Sequence, residues 1–326
     1  MDGCGSEMMQ SARMRRAGIK PGRLLWVLPV AFLVLFFLLP LGSILSLMLS
    51  RSDVVSLKGL WQPLWFSLWQ AAVSTLLTLA LGLPAAWVFA RFNFRGKGAL
   101  RLLSTLPFIL PTVVVAAGFT ALLGPRGLIN HWLMNWFQLD APPIAFMNTL
   151  GAILLAHVFY NTSVVMRVVG SALVQLDPRM ADAGSVLGAS PWRVLREITL
   201  PLLQPSILVA ALMVFLFDFS SFGVVLLLGG PRFATLETAI YTQTLSMFNL
   251  RMAGLLTFLQ LLCTVGVTLL YTRLNGKRNI PLMPRMQGEG VRRPITVAEK
   301  SLVAAICIVL LILLVSPLAA LVVRSL

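Results

Sequence analysis

Seven stretches of this chain stay apolar for about twenty residues or more, near 24–48, 64–90, 99–123, 147–172, 202–229, 251–272 and 301–323. A helix of about twenty apolar residues crosses a hydrocarbon core roughly 30 Å thick. Within lipid only the chain itself can pair a backbone N–H or C=O, so such runs fold as helices and not as an open sheet. Composition points the same way: 58% of residues are hydrophobic and only 11% charged, with a mean hydropathy of +0.89, whereas a soluble globule carries about a quarter charged residues. The expected fold class is all-α, a polytopic membrane protein embedded in a lipid bilayer.

Basic residues orient the spans. Arg13, Arg15, Arg16, Lys20 and Arg23 precede the first, and Arg91, Arg95, Lys97 and Arg101 separate the second from the third. Arg167, Arg179, Arg193 and Arg196 surround the connection after the fourth, and seven more, from Arg273 to Lys300, follow the sixth. These twenty share one side and the remaining six of the 26 fall on the other, so the richer side, with the N-terminus, is cytoplasmic. The expected location is a bacterial inner membrane. A net charge of +15 distributed by membrane side, with no basic stripe or nucleic-acid motif, argues against a nucleic-acid partner. The first run exceeds a 7–15-residue signal core and ends without a small-x-small cleavage site, so it reads as a span. Cys4, Cys263 and Cys307 are scattered without ligand spacing, and no disulfide or metal site is expected.

Between the fourth and fifth runs lies a polar segment with two helix starts. Asp177-Pro178 and Ser190-Pro191 each place an N-cap side chain before a first-turn proline. Gly188 falls where the first short helix ends, a position that favours the left-handed conformation. The prediction is a helix–turn–helix outside the membrane, near 177–201. Its spacing runs Asp182-Ala183-Gly184, three residues, Gly188, nine residues, Ile198, one residue, Leu200-Pro201. This resembles the EAA loop of permease subunits from binding-protein-dependent ABC importers, with Asp182 in place of Glu and Gly184 in place of Ala. The resemblance implies a six-helix permease bundle whose loop, Arg193 included, is the coupling helix seated in a cytoplasmic ATPase. It also implies two ATPase copies and an extracytoplasmic substrate-binding protein, periplasmic or lipoprotein.

Val34 to Leu41 is echoed by Leu311 to Leu318, both ending in Pro-Leu after a basic segment. We read 1–23 as a cytoplasmic basic tail, 24–275 as a six-span permease domain, 276–300 as a cytoplasmic linker and 301–326 as the first helix of a second, truncated repeat. That seventh helix is expected to lack a partner bundle here, and function then requires a second repeat or a second copy. Ala156 to Asn161, Leu228 to Pro231 and Leu236 to Tyr241 are similar to the ferric-iron and thiamine branch of the family. That similarity implies ferric iron or thiamine as cargo.

Asp218 is the one carboxylate well within a span, and a charge at mid-bilayer costs at least ~2.5–3.5 kcal/mol unless it faces protein or water. It lines a translocation path or bonds a neighbouring helix through Ser220, Ser221 or Asn161. His157, Tyr160 and Asn161 share a helix face and carry the same two readings. Pro107 and Pro111 predict a kink in the third span. Trp132 and Trp136 mark a short interfacial helix over 128–137. No G-x-x-x-x-G-K-[ST] phosphate loop occurs in the chain, so no cofactor is expected on it and ATP is assigned to a partner subunit. Two other classes compete: a secondary transporter or channel with Asp218 and His157 as an ion relay, and an intramembrane enzyme using Ser220 or Ser221 with His157, which nothing in the spacing brings together.

Overall fold

The computed structural model describes residues 21–50, 56–276 and 291–326. Most of the expected basic tail and the middle of the expected linker, with Lys277, Arg278 and Arg285, fall outside the described residues. Among these, every regular element is helical, apart from one isolated bridge between Phe92 and Arg292. Seven helical stretches are long and apolar enough to cross a membrane.

The first crossing is α1 (Pro21–Leu33) and α2 (Leu39–Ser50), joined by a π turn at Val34–Leu38. The second is α3 (Leu57–Arg91), started by the Ser56 hydroxyl accepting from the Gly59 N–H at 3.4 Å. Next come α4 (Lys97–Leu103), α5 (Leu106–Ile109), α6 (Thr112–Leu123) and α7 (Leu128–Phe137). The fourth crossing, α8 (Leu150–Gln175), is capped by Thr149, whose hydroxyl accepts from Ala152 N at 3.3 Å. The polar segment holds α9 (Pro178–Val186) and α10 (Pro191–Val194), followed by a π turn at Leu195–Thr199, α11 (Leu200–Phe219), α12 (Phe222–Val224) and a π turn at Val225–Gly229. The chain closes with α13 (Leu236–Leu245), α14 (Leu250–Gly276) and α15 (Val297–Ser325).

Three boundaries differ from the sequence reading, each at a proline or a close helix approach. The third crossing is broken and not merely kinked: Leu110 takes an extended ψ of 134° before Pro111, which itself caps α6, because proline excludes the α region from the residue before it. The fifth does not run unbroken to 229, since Ser220 and Ser221 leave helical geometry between α11 and α12. The second short helix of the polar segment is not separate; Pro191–Phe219 is one helical stretch that absorbs Pro201 through a π turn. Proline offers no N–H and crowds the carbonyl four residues back, here Glu197, at the centre of that turn. Pro40 stands in the same relation to Phe36 in the first crossing.

The centre of the bundle is α3 packed on α8, with α11 against both. Small residues set the approach: a Cβ on Gly82 would lie 2.6 Å from Val165 Cβ. α13 and α14 close one side through Leu236, Met252 and Leu256, which join Ala71 and Phe219. The first crossing has no buried side chain over 26–46 and meets the bundle through α2 on α14.

The seventh helix is docked, contrary to the expectation that it would find no partner bundle. It lies along α6, and its Val303, Ile306, Leu310, Leu313 and Leu314 are buried in the main core cluster. The reason is an open apolar face on α6 with Gly118 at its crossing point, where an added Cβ would sit 2.9 Å from the Pro317 carbonyl oxygen. A clasp at the other end fixes its start. Asn93 N donates to Arg292 O at 2.9 Å, Arg292 N donates to Arg91 O at 3.1 Å, and the Arg292 guanidinium sits 5.3 Å over the Phe92 ring while pairing with Glu299. Glu299 also completes the capping box with Thr296 that starts α15.

Gly118→Leu is therefore expected to destabilise the chain by about 1–3 kcal/mol through overpacking, read as a lower unfolding midpoint in detergent. Gly266→Leu, at a site with nothing within 4 Å, serves as the control and should leave the midpoint nearly unchanged. Equal midpoints for the two variants would contradict the docking of α15.

Candidate functional site

The polar side chains of the membrane interior converge where α3, α8 and α11 meet. α8 supplies His157 and Asn161, both buried, and half-buried Tyr160 one turn along. α11 supplies Asp218, which is 0% exposed. The Asn161 amide donates to Asp218 Oδ1 at 2.7 Å, so a neighbouring helix does hold the carboxylate. The break after α11 brings Ser221 Oγ to 2.8 Å from His157 Nε2. Sequence spacing alone left Ser221 and His157 unconnected, because the break that joins them is a tertiary feature.

α3 contributes a stripe that the sequence analysis missed. Ser67, Gln70, Ser74 and Thr78 recur every three or four residues and are all fully buried. That spacing was the available signal, hidden because each residue is small or neutral within an apolar run. Gln70 Nε2 lies 2.9 Å from His157 Nδ1, so the ring is held by the amide of α3 on one side and by Ser221 on the other. His157 Nδ1 is 3.5 Å from Asp218 Oδ1, and both atoms already have other partners. This arrangement makes neither a proton wire between His157 and Asp218 nor a nucleophile triad, since the amide of Gln70 occupies the ring nitrogen that an acid would have to orient.

Beside this network is a cavity of about 380 Å³, lined by all six path candidates, Asp218, Ser220, Ser221, His157, Tyr160 and Asn161. It lies where two helix interruptions meet. Gly223, just past the Ser220–Ser221 break, approaches the start of α6 so closely that a Cβ would lie 2.6 Å from Thr112 Oγ1. Aromatic rings form the remaining wall: Phe108 and Phe217 meet edge to face at 6.0 Å, Phe222 lies beside them in the lining, and the Arg167 guanidinium covers Phe108 at 5.5 Å. Asp218 Oδ2 and the Tyr160 hydroxyl are buried, and the Ser74 hydroxyl of α3 is the second side chain, after Asn161, that faces the Asp218 carboxyl group. An acidic side chain in a lining that also carries aromatic rings suits an organic cation. Among the described residues no three His, Cys, Asp or Glu side chains converge as metal ligands.

The polar segment forms the second site. Asp177 Oδ1 accepts from Arg179 N at 3.0 Å, and Ser190 Oγ accepts from Arg193 N at 3.3 Å. Gly188 takes a φ of +85°, while Gly188 N donates to Ser185 O and Ala189 N donates to Gly184 O, both at 3.0 Å. This pair of bonds is a Schellman ending for α9. Gly184 faces Ile198, whose Cδ1 would lie 2.7 Å from a Cβ there, so the glycine lets α9 fold down on the start of the fifth crossing. Asp182 and Ala183 are exposed beside it, as are Leu200 and Pro201 at the start of α11. Arg193 pairs with Glu197 at 3.1 Å on the surface, a contact worth a few tenths of a kcal/mol. The unexpected feature is apolar: Val186, Leu187 and Trp192 are 86%, 88% and 68% exposed at the tip. Exposed apolar side chains on one turn suit an interaction surface.

Residues 78–326 match the family described as the binding-protein-dependent transport system inner membrane component. The chain belongs to this family, and it is a multi-pass inner-membrane permease component of an ABC importer. Among curated relatives, it is 31% identical to the thiamine transport system permease protein ThiP of Salmonella typhimurium, over 95% of this chain and 58% of that protein. It is 32% identical to ThiP of Escherichia coli over 80% of this chain and 49% of that protein. It is 27% identical to the putative 2-aminoethylphosphonate transport system permease protein PhnU of Salmonella choleraesuis, over 76% of this chain and 91% of that one. The chain thus spans about half the length of the thiamine relatives. Its fold is shared with a bacterial ABC transporter that imports the acidic polysaccharide alginate, with a TM-score of 0.64 at 18% identity over 80% of this chain and 98% of that one.

The Asn161–Asp218 bond sets a stability test. Asn161→Leu strips a buried carboxylate oxygen of its donor and is expected to cost about 1–3 kcal/mol, measured by unfolding in detergent. Combining it with Asp218→Leu should cost less than the two single losses added, as for residues in direct contact; strict additivity would show that the bond contributes nothing.

Proposed function

We propose that this chain is one half of the membrane channel of an importer for a small organic cation, with thiamine the preferred cargo, delivered by an extracytoplasmic binding protein. The observation that carries the cargo reading is the aromatic cavity with Asp218 in its lining. Thiamine carries a permanent positive charge on an aromatic ring, which suits a carboxylate beside Phe108, Phe217 and Phe222. The relatives named for thiamine transport, one of them similar along 95% of this chain, add weight.

Coupling to ATP runs through the polar segment, on the cytoplasmic side with the N-terminus. Two ATPase subunits, each a separate polypeptide that binds the nucleotide, dock on the loop of each permease half. In this chain the docking surface is Asp182 to Arg196, with Val186, Leu187 and Trp192 at its apolar tip and Gly184 packed on Ile198 below. Leu200 and Pro201 then carry the loop's movement into the membrane. The support is mechanical: Pro191–Phe219 is one helical stretch from the loop to the Ser220 break, so a displacement of the loop acts on the wall of the cavity that holds Asp218. ATP binding and the loaded binding protein bias this two-state element between outward and inward access.

The second half is another permease repeat or a second copy. The exposed first crossing and the docked seventh are consistent with 24–275 as one repeat and 301–326 as the opening of the next. In this arrangement each half is overlain by the first helix of the other.

The deciding experiment is uptake of radiolabelled thiamine by vesicles that contain this chain, its second half, the ATPase and the binding protein. Asp218→Asn at equal membrane abundance is expected to reduce uptake at least tenfold while the protein stays folded, because the amide keeps the shape and removes the charge. Wild-type uptake in that variant would remove Asp218 from the path. Gly188→Val puts a β-branched residue at φ +85° and is expected to leave membrane abundance intact while co-purification of the ATPase falls. Undiminished ATPase binding would overturn the docking assignment.

A further inference from the structure

A groove on α3, remote from the Asp218 cavity, is accounted for neither by transport nor by packing. Trp61, Trp65 and Trp69 recur every four residues, and at 100° per residue they fall with Lys58 within an arc of about 80°. The neighbouring faces of α3 have partners: Leu60, Leu64 and Leu68 pack toward α13 and α14, and Phe66 meets Phe233 at 5.6 Å. The three indoles remain exposed, and the first two stack at 6.4 Å with their planes 16° apart. Arg232, from the segment before α13, closes a groove of about 520 Å³ with Lys58 and the tryptophans. Both cations are exposed, and among the described residues neither pairs with a carboxylate.

We propose that this groove binds an anionic phospholipid of the leaflet in which α3 begins, with the phosphate held by Lys58 and Arg232 and an acyl chain laid along the tryptophan row. An aromatic belt explains tryptophan at the membrane interface. It does not explain three indoles on one helix face reaching about 12 Å along the axis beside two cations that, among the described residues, pair with no carboxylate. The cations supply charge complementarity for a phosphate whose headgroup adds no compensating positive charge, and the indoles provide flat apolar walls with an N–H edge for the glycerol region. Each basic residue near a membrane surface favours anionic lipid by roughly fivefold, so the pair predicts a preference of about 30-fold.

The test is fluorescence quenching of the full chain, with Trp26, Trp87, Trp132, Trp136 and Trp192 replaced by phenylalanine so that the row alone emits, reconstituted in phosphatidylcholine vesicles doped either with brominated phosphatidylglycerol or with brominated phosphatidylcholine. The expected result is tryptophan quenching at a roughly 30-fold lower mole fraction of the anionic lipid. That preference should be lost in the double variant Lys58→Gln, Arg232→Gln and retained in Arg126→Gln, which removes an exposed cation outside the groove. Both substituted cations are on the surface, so the variants should fold, as monitored by elution and helical circular dichroism. Equal quenching by the two lipids would mean an ordinary aromatic belt and overturn the site. No quenching of the row by either lipid would mean that protein covers it, and a preference surviving in the double variant would place the anionic lipid elsewhere; either result also rejects the proposal.

Discussion

Everything in this molecule follows from the rule that backbone hydrogen bonds in lipid must be closed by the chain itself. Continuous helices satisfy it without help, so each interruption has to be sheltered by protein or by a polar cavity. Two interruptions, at Leu110–Pro111 and Ser220–Ser221, shelter one another through the approach of Gly223 to Thr112. Their meeting creates the cavity and turns Ser221 toward His157. A continuous fifth helix would carry Ser221 round with the helix and leave no such space.

The same rule governs the buried polar groups. A carboxylate inside a membrane bundle survives by facing neighbouring helices or water, and Asp218 receives the amide of Asn161 from α8. The close packing of α3 on α8, set by Gly82, brings Gln70 within reach of His157. One oxygen of Asp218 thereby becomes a fixed structural acceptor. The network also weakens the case for an ion relay, because the ring nitrogen nearest Asp218 already faces an amide.

Loop and cavity are joined by an unusual economy of parts. Pro201 would ordinarily break or kink a helix, yet the π turn at Leu195–Thr199 takes up the missing bond and the helix continues. The result is a single element with the exposed apolar tip at one end and Asp218 at the other. Gly184 and the Schellman ending at Gly188 hold the tip against this element.

Local chemistry made much of this legible from sequence. Apolar run length determined the seven helices, and the N-caps at Asp177 and Ser190 together with Gly188 determined the turn in the polar segment, because caps and positive φ depend on neighbours a few residues away. The spacing from Asp182 to Pro201 pointed to the family for the same reason. Tertiary structure alone decided which polar groups meet. Gln70 and His157 are 87 positions apart, and nothing local links Asn161 to Asp218 or Ser221 to His157. It also decided that the third and fifth helices break rather than bend, since the cost of an open backbone depends on what lies opposite. The seventh helix makes the point most plainly: its apolar length was readable, but its place on α6 rests on the space left by one hydrogen at Gly118, a fit between surfaces far apart in the chain.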